Sequence, residues 1–332
     1  VTMSSKLRAL MFLMIAALIW GFSYPIGRAA LEHLSPWAYG GFRFMFGALS
    51  LLPLALKRRR LTPPQAYTGN ISPHLWLWSG MLGGLCLSCG SVMQLYGLSQ
   101  LPASQVGFIT TLYVSMVPVL AFVGGYLPRP LVLVGLSIGL FGLYLLTGGG
   151  AGEFGKSAAL ILVADVFWAL QVVVTGRFAA RVNTWLYSLA QAVTSAVLVL
   201  SLAYFGGFLP TWSVFFQTLP YSMWGILSVG VAYTCQTIAQ RDISSTSAAL
   251  VFPLQSVIGA VAGVLLLGEV MDQRMILGAA VIILGCVIAQ FARDSAPLPS
   301  DHKYWKPLRL TRITLGTAIA LASTAALVWS VT

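Results

Sequence analysis

Apolar stretches follow one another along nearly the whole of this sequence, each about as long as a lipid bilayer is thick. They fall near residues 8–31, 36–56, 75–99, 103–126, 130–148, 157–178, 184–205, 218–240, 246–267 and 274–292. A helix needs about 20 apolar residues to cross the hydrocarbon core. Inside that core every backbone N–H and C=O must find its partner within the segment, so helices are the natural solution for runs of this length. The expected fold is therefore an all-α polytopic membrane protein with ten transmembrane helices. Composition agrees, with 58% hydrophobic and only 8% charged residues, where a soluble domain carries roughly a quarter charged. Short loops leave no space for a soluble domain of useful size in 332 residues.

A net charge of +11 would suggest nucleic acid in a soluble chain, but in a membrane protein basic residues first set orientation. With the N-terminus inside, cytoplasmic segments hold Lys6, Arg8, Lys57, Arg58, Arg59, Arg60, Arg129, Arg177, Arg181, Arg241 and Arg293. The other side holds Arg28, Lys156 and Arg274. The bias predicts a cytoplasmic N-terminus in a bacterial-type inner membrane and no nucleic-acid partner. Lys6 and Arg8 before the first run also fit a signal peptide, but that run pairs with a mid-chain helix, which favours a retained span. Beyond Arg293, residues 294–332 are expected to form a cytoplasmic linker and an apolar tail at 313–331, either an eleventh span, an interfacial helix or a loosely ordered segment.

The two halves of the chain resemble each other. Ala16-Ala17-Leu18-Ile19-Trp20-Gly21 aligns with Ala164-Asp165-Val166-Phe167-Trp168-Ala169, and Tyr39 and Arg43 align with Tyr187 and Gln191, all 148 residues on. Cys89 and Gln94 align with Cys235 and Gln240 at an offset of 146, and Gly135 and Gly142 with Gly278 and Gly285 at 143. Small drifts in offset are what loop-length changes produce. The repeats are 5–148 (helices 1–5) and 156–293 (helices 6–10). An odd number of spans reverses the second copy, so the two should sit upside-down relative to each other. Such inverted repeats are a hallmark of transporters that alternate between inward-open and outward-open states.

Several residues carry a family resemblance. Trp20-Gly21, Ser35-Pro36, Arg43, Gly107-Phe108-Ile109-Thr110-Thr111-Leu112-Tyr113-Val114 with Pro118, and Leu265-Leu266-Leu267-Gly268-Glu269 occur in the order seen in the drug/metabolite transporter superfamily. The chain resembles its EamA-type members over about residues 8–292. That resemblance implies two inverted five-helix bundles around a central cavity, and export of small metabolites, commonly amino acids or toxic compounds. The chain departs from the pattern at Gln255-Ser256, where many members have Glu-Pro, and in the tail from Ser295, which has no counterpart.

Candidate site residues come from helix faces. Tyr233, Gln236, Thr237 and Gln240 share one face of the eighth run, and Asp165, Trp168, Gln171 and Thr175 one face of the sixth. Polar residues in membrane helices face protein or a wet cavity, so each stripe is either interhelical packing or a cavity wall. The expected substrate-binding set is Trp20, Tyr24, Gln94, Tyr113, Trp168, Gln171, Tyr233, Gln236, Gln240 and Gln255. Asp165, an acid well inside an apolar run, costs ~2.5–3.5 kcal/mol to keep charged at a helix centre, so it needs a polar partner or a proton and is the candidate for proton coupling. Arg43 is a buried charge, between Gly40 and Gly47, suited to a structural role or to a substrate carboxylate.

Gly21 with Pro25, Pro118 and Pro253 are expected hinges. Proline lacks a donor and crowds the carbonyl four residues back, and Pro25 has no counterpart in the second half, where Val173 stands. Cys86 and Cys89 form a CxxC inside an apolar helix and read as packing residues. Three scattered histidines offer no metal cluster, and neither a catalytic triad nor a phosphate-binding loop is present, so no cofactor and no enzyme activity are expected. The expected function is secondary active export of a small-molecule substrate, with protons as possible coupling ions. The alternatives are an importer or exchanger and, further off, a channel or membrane-embedded enzyme. Substrate identity and oligomeric state stay open.

Overall fold

The computed structural model describes residues 4–61, 74–120, 130–148, 153–245, 248 and 251–291. The linker and apolar tail at 294–332, the start of the ninth run, and the loop residues Arg129 and Arg293 lie outside the described residues.

Among the described residues every regular element is helical. The elements are α1 (Ser5–Ala30), α2 (Pro36–Leu61), α3 (Leu75–Gln100), α4 (Ala103–Thr110), α5 (Tyr113–Leu120), α6 (Pro130–Thr147), α7 (Glu153–Phe178), α8 (Thr184–Phe205), α9 (Trp212–Gln217), α10 (Leu219–Met223), α11 (Ala232–Ala239), α12 (Pro253–Leu267) and α13 (Gln273–Phe291). A π-helical turn, Ile226–Val231, leads into α11. Seven helical segments are long and apolar enough to cross a membrane, counting residues 103–120 as one; Pro253–Leu267 and Gln273–Ala289 are shorter apolar helices.

Local chemistry marks the helix ends. The Ser4 hydroxyl accepts the Leu7 N–H at 3.2 Å, and Asn183 Oδ1 accepts those of Trp185 and Leu186 at 3.0 and 3.2 Å, satisfying donors that a first turn leaves orphaned. Pro36, Pro130 and Pro253 open α2, α6 and α12, where a missing N–H costs nothing. Gly268, at φ 67°, ends α12 in the left-handed conformation, which glycine adopts without a Cβ penalty. The next residue, Glu269, reaches across the bundle. Its carboxylate oxygens accept the N–H groups of Ala103 and Ser104 at 2.5 and 2.9 Å, capping α4 from another helix.

The distribution of polarity is the reverse of a soluble protein's. Phe141, Tyr144, Val197 and Leu265 are exposed, whereas Asp165, Gln171, Gln191, Gln236 and Gln255 are buried. Such an exterior suits lipid, and the buried amides need partners inside.

Helix pairing follows a pattern. α6 packs on α13, α2 on α8, and α4 on α12; α3 packs on α7 as α1 packs on α11, and α1 packs on α12 as α7 packs on α5. The α6–α13 crossing is backbone against backbone. A Cβ on Gly142 would lie 2.7 Å from the Ile282 nitrogen and 2.8 Å from the Gly278 oxygen, and one on Gly285 would lie 2.5 Å from the Gly135 oxygen. Only glycine permits that approach.

The proline sites differ from one another. α1 runs unbroken through Pro25, and the Gly21 carbonyl that Pro25 crowds faces α12, 3.2 Å from where a Cβ on Gly259 would sit. The carbonyl therefore meets protein, not lipid. The fourth run does break, but at Thr111–Leu112, ahead of Pro118. There the Cys286 thiol donates to the Thr111 carbonyl at 3.5 Å, and the Thr111 and Ser256 hydroxyls bond to each other. Pro253 starts a helix and does not interrupt one. The eighth run, expected as a single helix, consists of α10, the π turn and α11. Its irregular part contains Gly225, packed on the backbone of α2 at Arg43, and Gly230, packed on Ser50.

Candidate functional site

A cavity lies where α1, α2, α3, α4, α5, α7, α11 and α12 converge, with about 640 Å³ of non-atom volume, its open part included. Its wall is aromatic. The Trp20 ring centroid lies 4.9 Å from that of Tyr233 and 5.8 Å from that of Phe252. Tyr113 is 5.8 Å from Phe252, and Trp168 stacks on Tyr233 at 6.4 Å with 12° between planes. Five rings from five different segments thus form a continuous lining.

The π turn positions this lining. Its wider winding, often found at functional sites, presents the Ser228 carbonyl to the Trp20 indole N–H at 2.9 Å. One turn of α1 further on, the Trp224 indole N–H donates to the Ser23 hydroxyl at 2.8 Å, and Ser23 donates in turn to the Ile19 carbonyl at 2.9 Å. Trp168, in contrast, has a buried indole N–H with no partner among the described residues.

Amides form the polar part of the wall. Gln94 Nε2 donates to Thr110 Oγ1 at 2.9 Å. Gln236 Nε2 donates to Gln171 Oε1 at 3.1 Å and to Gln240 Oε1 at 3.0 Å. Gln171 Nε2 donates to Thr175 Oγ1 at 2.9 Å and Gln191 Oε1 at 3.1 Å. Gln240 Nε2 and the Ser245 hydroxyl both donate to the Val172 carbonyl, at 3.0 and 3.1 Å. This chain of neutral groups ties α7, α8 and α11 together at the end of the cavity nearest Arg241.

Trp20, Tyr24, Gln94, Tyr113, Trp168, Gln171, Tyr233, Gln236 and Gln255 all line this one space. Gln240 does not line it, but holds Gln236 from behind. Arg43, for which two roles stood open, is also in the lining; its Nη2 donates to Ser91 Oγ at 2.7 Å and its Nε is buried without a partner. Asp165 is fully buried outside the lining, and both its carboxylate oxygens lack a hydrogen-bond partner among the described residues. At the same end as Gln240, Arg8 and Asp242 form an ion pair at 3.0 Å.

A cavity of this kind, inside a polytopic helical bundle, invites comparison with known carriers. The model of the EamA-like transporter family matches residues 7–148 and, a second time, residues 155–291. The chain belongs to the EamA-like transporter family. It is a multi-pass membrane transporter of that family, within the drug/metabolite transporter superfamily. Relatives of this EamA protein include an uncharacterized transporter of Archaeoglobus fulgidus, 26% identical over 85% of the chain and 86% of that relative. The uncharacterized inner membrane transporter YedA of Escherichia coli K12 is 25% identical over 84% of the chain and 90% of its own length. A solved crystal structure shares the fold with a TM-score of 0.61 at 21% identity, over 85% of this chain and 96% of that one.

Sequence reasoning missed Ser228 and Phe252 as lining residues of this EamA transporter. Ser228 is a single small residue in an apolar run, and its contribution is a backbone carbonyl, for which no side-chain pattern exists. Phe252 carries a weak signal, standing directly before Pro253. Cys86, Cys89, Cys235 and Cys286 are buried free thiols, and among the described residues no group of His, Cys, Asp or Glu is arranged for a metal.

Proposed function

We propose that this protein is a secondary active exporter of small metabolites that works by alternating access, with the aromatic and amide cavity as its substrate site. The observation that carries the proposal is the convergence of residues from both family-matched segments on a single buried space. In this reading Trp20, Tyr24, Gln94, Tyr113, Trp168, Gln171, Tyr233, Gln236 and Gln255 contact the solute, and Gln240 supports Gln236.

The architecture is two inverted five-helix repeats, 5–148 and 156–293, with ten spans in an inner membrane and a cytoplasmic N-terminus. Support comes from the double family match, from helix pairings that survive exchange of the two halves, and from facing glycines 143 residues apart at the α6–α13 crossing. Orientation rests on the positive-inside bias. The cytoplasmic end is then the one closed by the Gln240–Val172–Ser245 contacts and the Arg8–Asp242 pair. Asp165 is the proton-coupling residue, since a buried acid without a partner calls for a proton or for another conformation that supplies a partner.

Reconstitution tests the reading. Proteoliposomes loaded with unlabelled solute should accumulate labelled solute transiently and saturably, which is counterflow. Unsaturated flux at conductance-like rates would replace the carrier with a channel. Release of a new product from lipid would point to an enzyme.

A further inference from the structure

Among the described residues lining the cavity, Arg43 is the only charged side chain, and no acid joins it. It is buried, its Nε lacks a partner among the described residues, and its Nη2 donates to the neutral Ser91 hydroxyl at 2.7 Å. No ion pair among the described residues involves it. Its guanidinium carbon lies 5.7 Å from the Tyr39 ring centroid and 5.6 Å from that of Phe44, contacts that moderate a positive charge without neutralising it. Arginine cannot shed its proton in a protein. The cavity therefore carries a fixed positive charge, and an uncompensated buried charge is costly until an opposite one arrives.

The rest of the wall limits what can bring that opposite charge. The rings of Trp20, Tyr113, Trp168, Tyr233 and Phe252 suit a planar apolar body. Aromatic faces attract an ammonium group, but the lining holds no acid to neutralise it and one cation, Arg43, that repels it. The unpartnered Trp168 N–H is a further donor, matched to an oxygen acceptor and not to a cation. We propose that the cavity takes an aromatic monocarboxylate of net negative charge, its carboxylate on Arg43 and its ring among the five aromatics. Zwitterionic amino acids and cationic drugs are disfavoured. This inference rests on the reading of the cavity as the solute site and narrows it to one chemical class.

The test uses three probes of matched shape, 3-phenylpropionate, phenylalanine and 2-phenylethylamine, binding to the full-length protein in detergent, followed by calorimetry. The wild-type protein should bind the anion roughly tenfold or more tighter than the zwitterion, whose ammonium group is left without an acid and repelled by Arg43, and the amine, which lacks the carboxylate, most weakly. Arg43→Gln should erase the preference, and Arg43→Lys should keep part of it. Should Arg43→Gln fail to fold, the ranking on the wild-type protein decides alone. Equal affinity for the three, a preference for phenylalanine or the amine, or no binding of 3-phenylpropionate at millimolar concentration overturns the proposal. Counterflow with the same probes separates the two readings. Saturable counterflow of phenylalanine without anion preference overturns the anion class and leaves the transporter, whereas tight anion binding without counterflow of any probe upholds the site and removes its transport role.

Discussion

A carboxylate whose two oxygens are both buried and unpartnered among the described residues, as in Asp165, has a large cost to recover in some state of the protein. If it carries the coupling proton, Asp165→Asn should abolish accumulation driven by an imposed pH gradient and spare counterflow, which needs no gradient; full pH-driven accumulation by the mutant would remove Asp165 from the mechanism. That Asp165 is unusual was legible because an acid deep in an apolar run is rare. Its position behind the cavity wall was not, because a helix face of about 120° holds both the lining residue Trp168 and the buried acid one turn away. Arg43 shows the same limit. Flanking glycines suggest close packing, and the structure has both that packing and a place in the lining, since its long side chain reaches past the helix contact that its neighbours make.

Helices here are held by features at their ends and crossings. At the α6–α13 crossing, Gly142→Leu would force the backbones apart and cost about 3 kcal/mol, the upper part of the usual range for overpacking. The thermal midpoint in detergent should fall accordingly, while Phe141→Ala on the exposed face of α6 leaves it nearly unchanged. Glu269→Ala removes the shared acceptor of the Ala103 and Ser104 N–H groups and should lower stability by about 1–2 kcal/mol, with Glu269→Gln retaining part of the loss-free behaviour; an unchanged melt for both would show that water replaces the cap. The glycines recurring 143 residues apart were readable in advance, though not that the two helices carrying them pack on each other. The placement of the breaks was not. Proline flagged the fourth and ninth runs as irregular and the eighth was expected unbroken, but the break in the fourth, at Thr111–Leu112, lies where Cys286 and Ser256 offer partners, and those partners belong to other helices.

For the molecule as a whole, the contacts beside Arg241 form the closed side in the proposed alternating-access cycle. Gln240→Ala removes one of the two donors to the Val172 carbonyl and the acceptor for Gln236, and should raise the population open at that end. A single cysteine introduced as Thr175→Cys in a background without the native cysteines would report it. Membrane-impermeant maleimide should label it faster in the Gln240→Ala background than in the parent when the cytoplasmic face is accessible. Equal rates would mean that the Gln240 contacts do not hold that side shut.

The all-helical class followed from hydropathy alone, because a bilayer demands continuous apolar helices whatever their neighbours; the lengths did not all follow, since the eighth run is interrupted and Pro253–Leu267 and Gln273–Ala289 are shorter than the seven membrane-length helices. The resemblance of the two halves was readable from residues recurring at a nearly constant offset, and the family model matches each half in turn. What required the folded molecule was everything that depends on rotation about a helix axis and on backbone atoms. The Ser228 carbonyl under Trp20, the carboxylate of Glu269 on a distant helix end, and the lone Arg43 facing a wall without acids are all contacts between segments far apart in the chain. Hydrophobic periodicity is weak when lipid and protein interior are both apolar, so the sequence alone leaves a span's rotation open, and packing sets it.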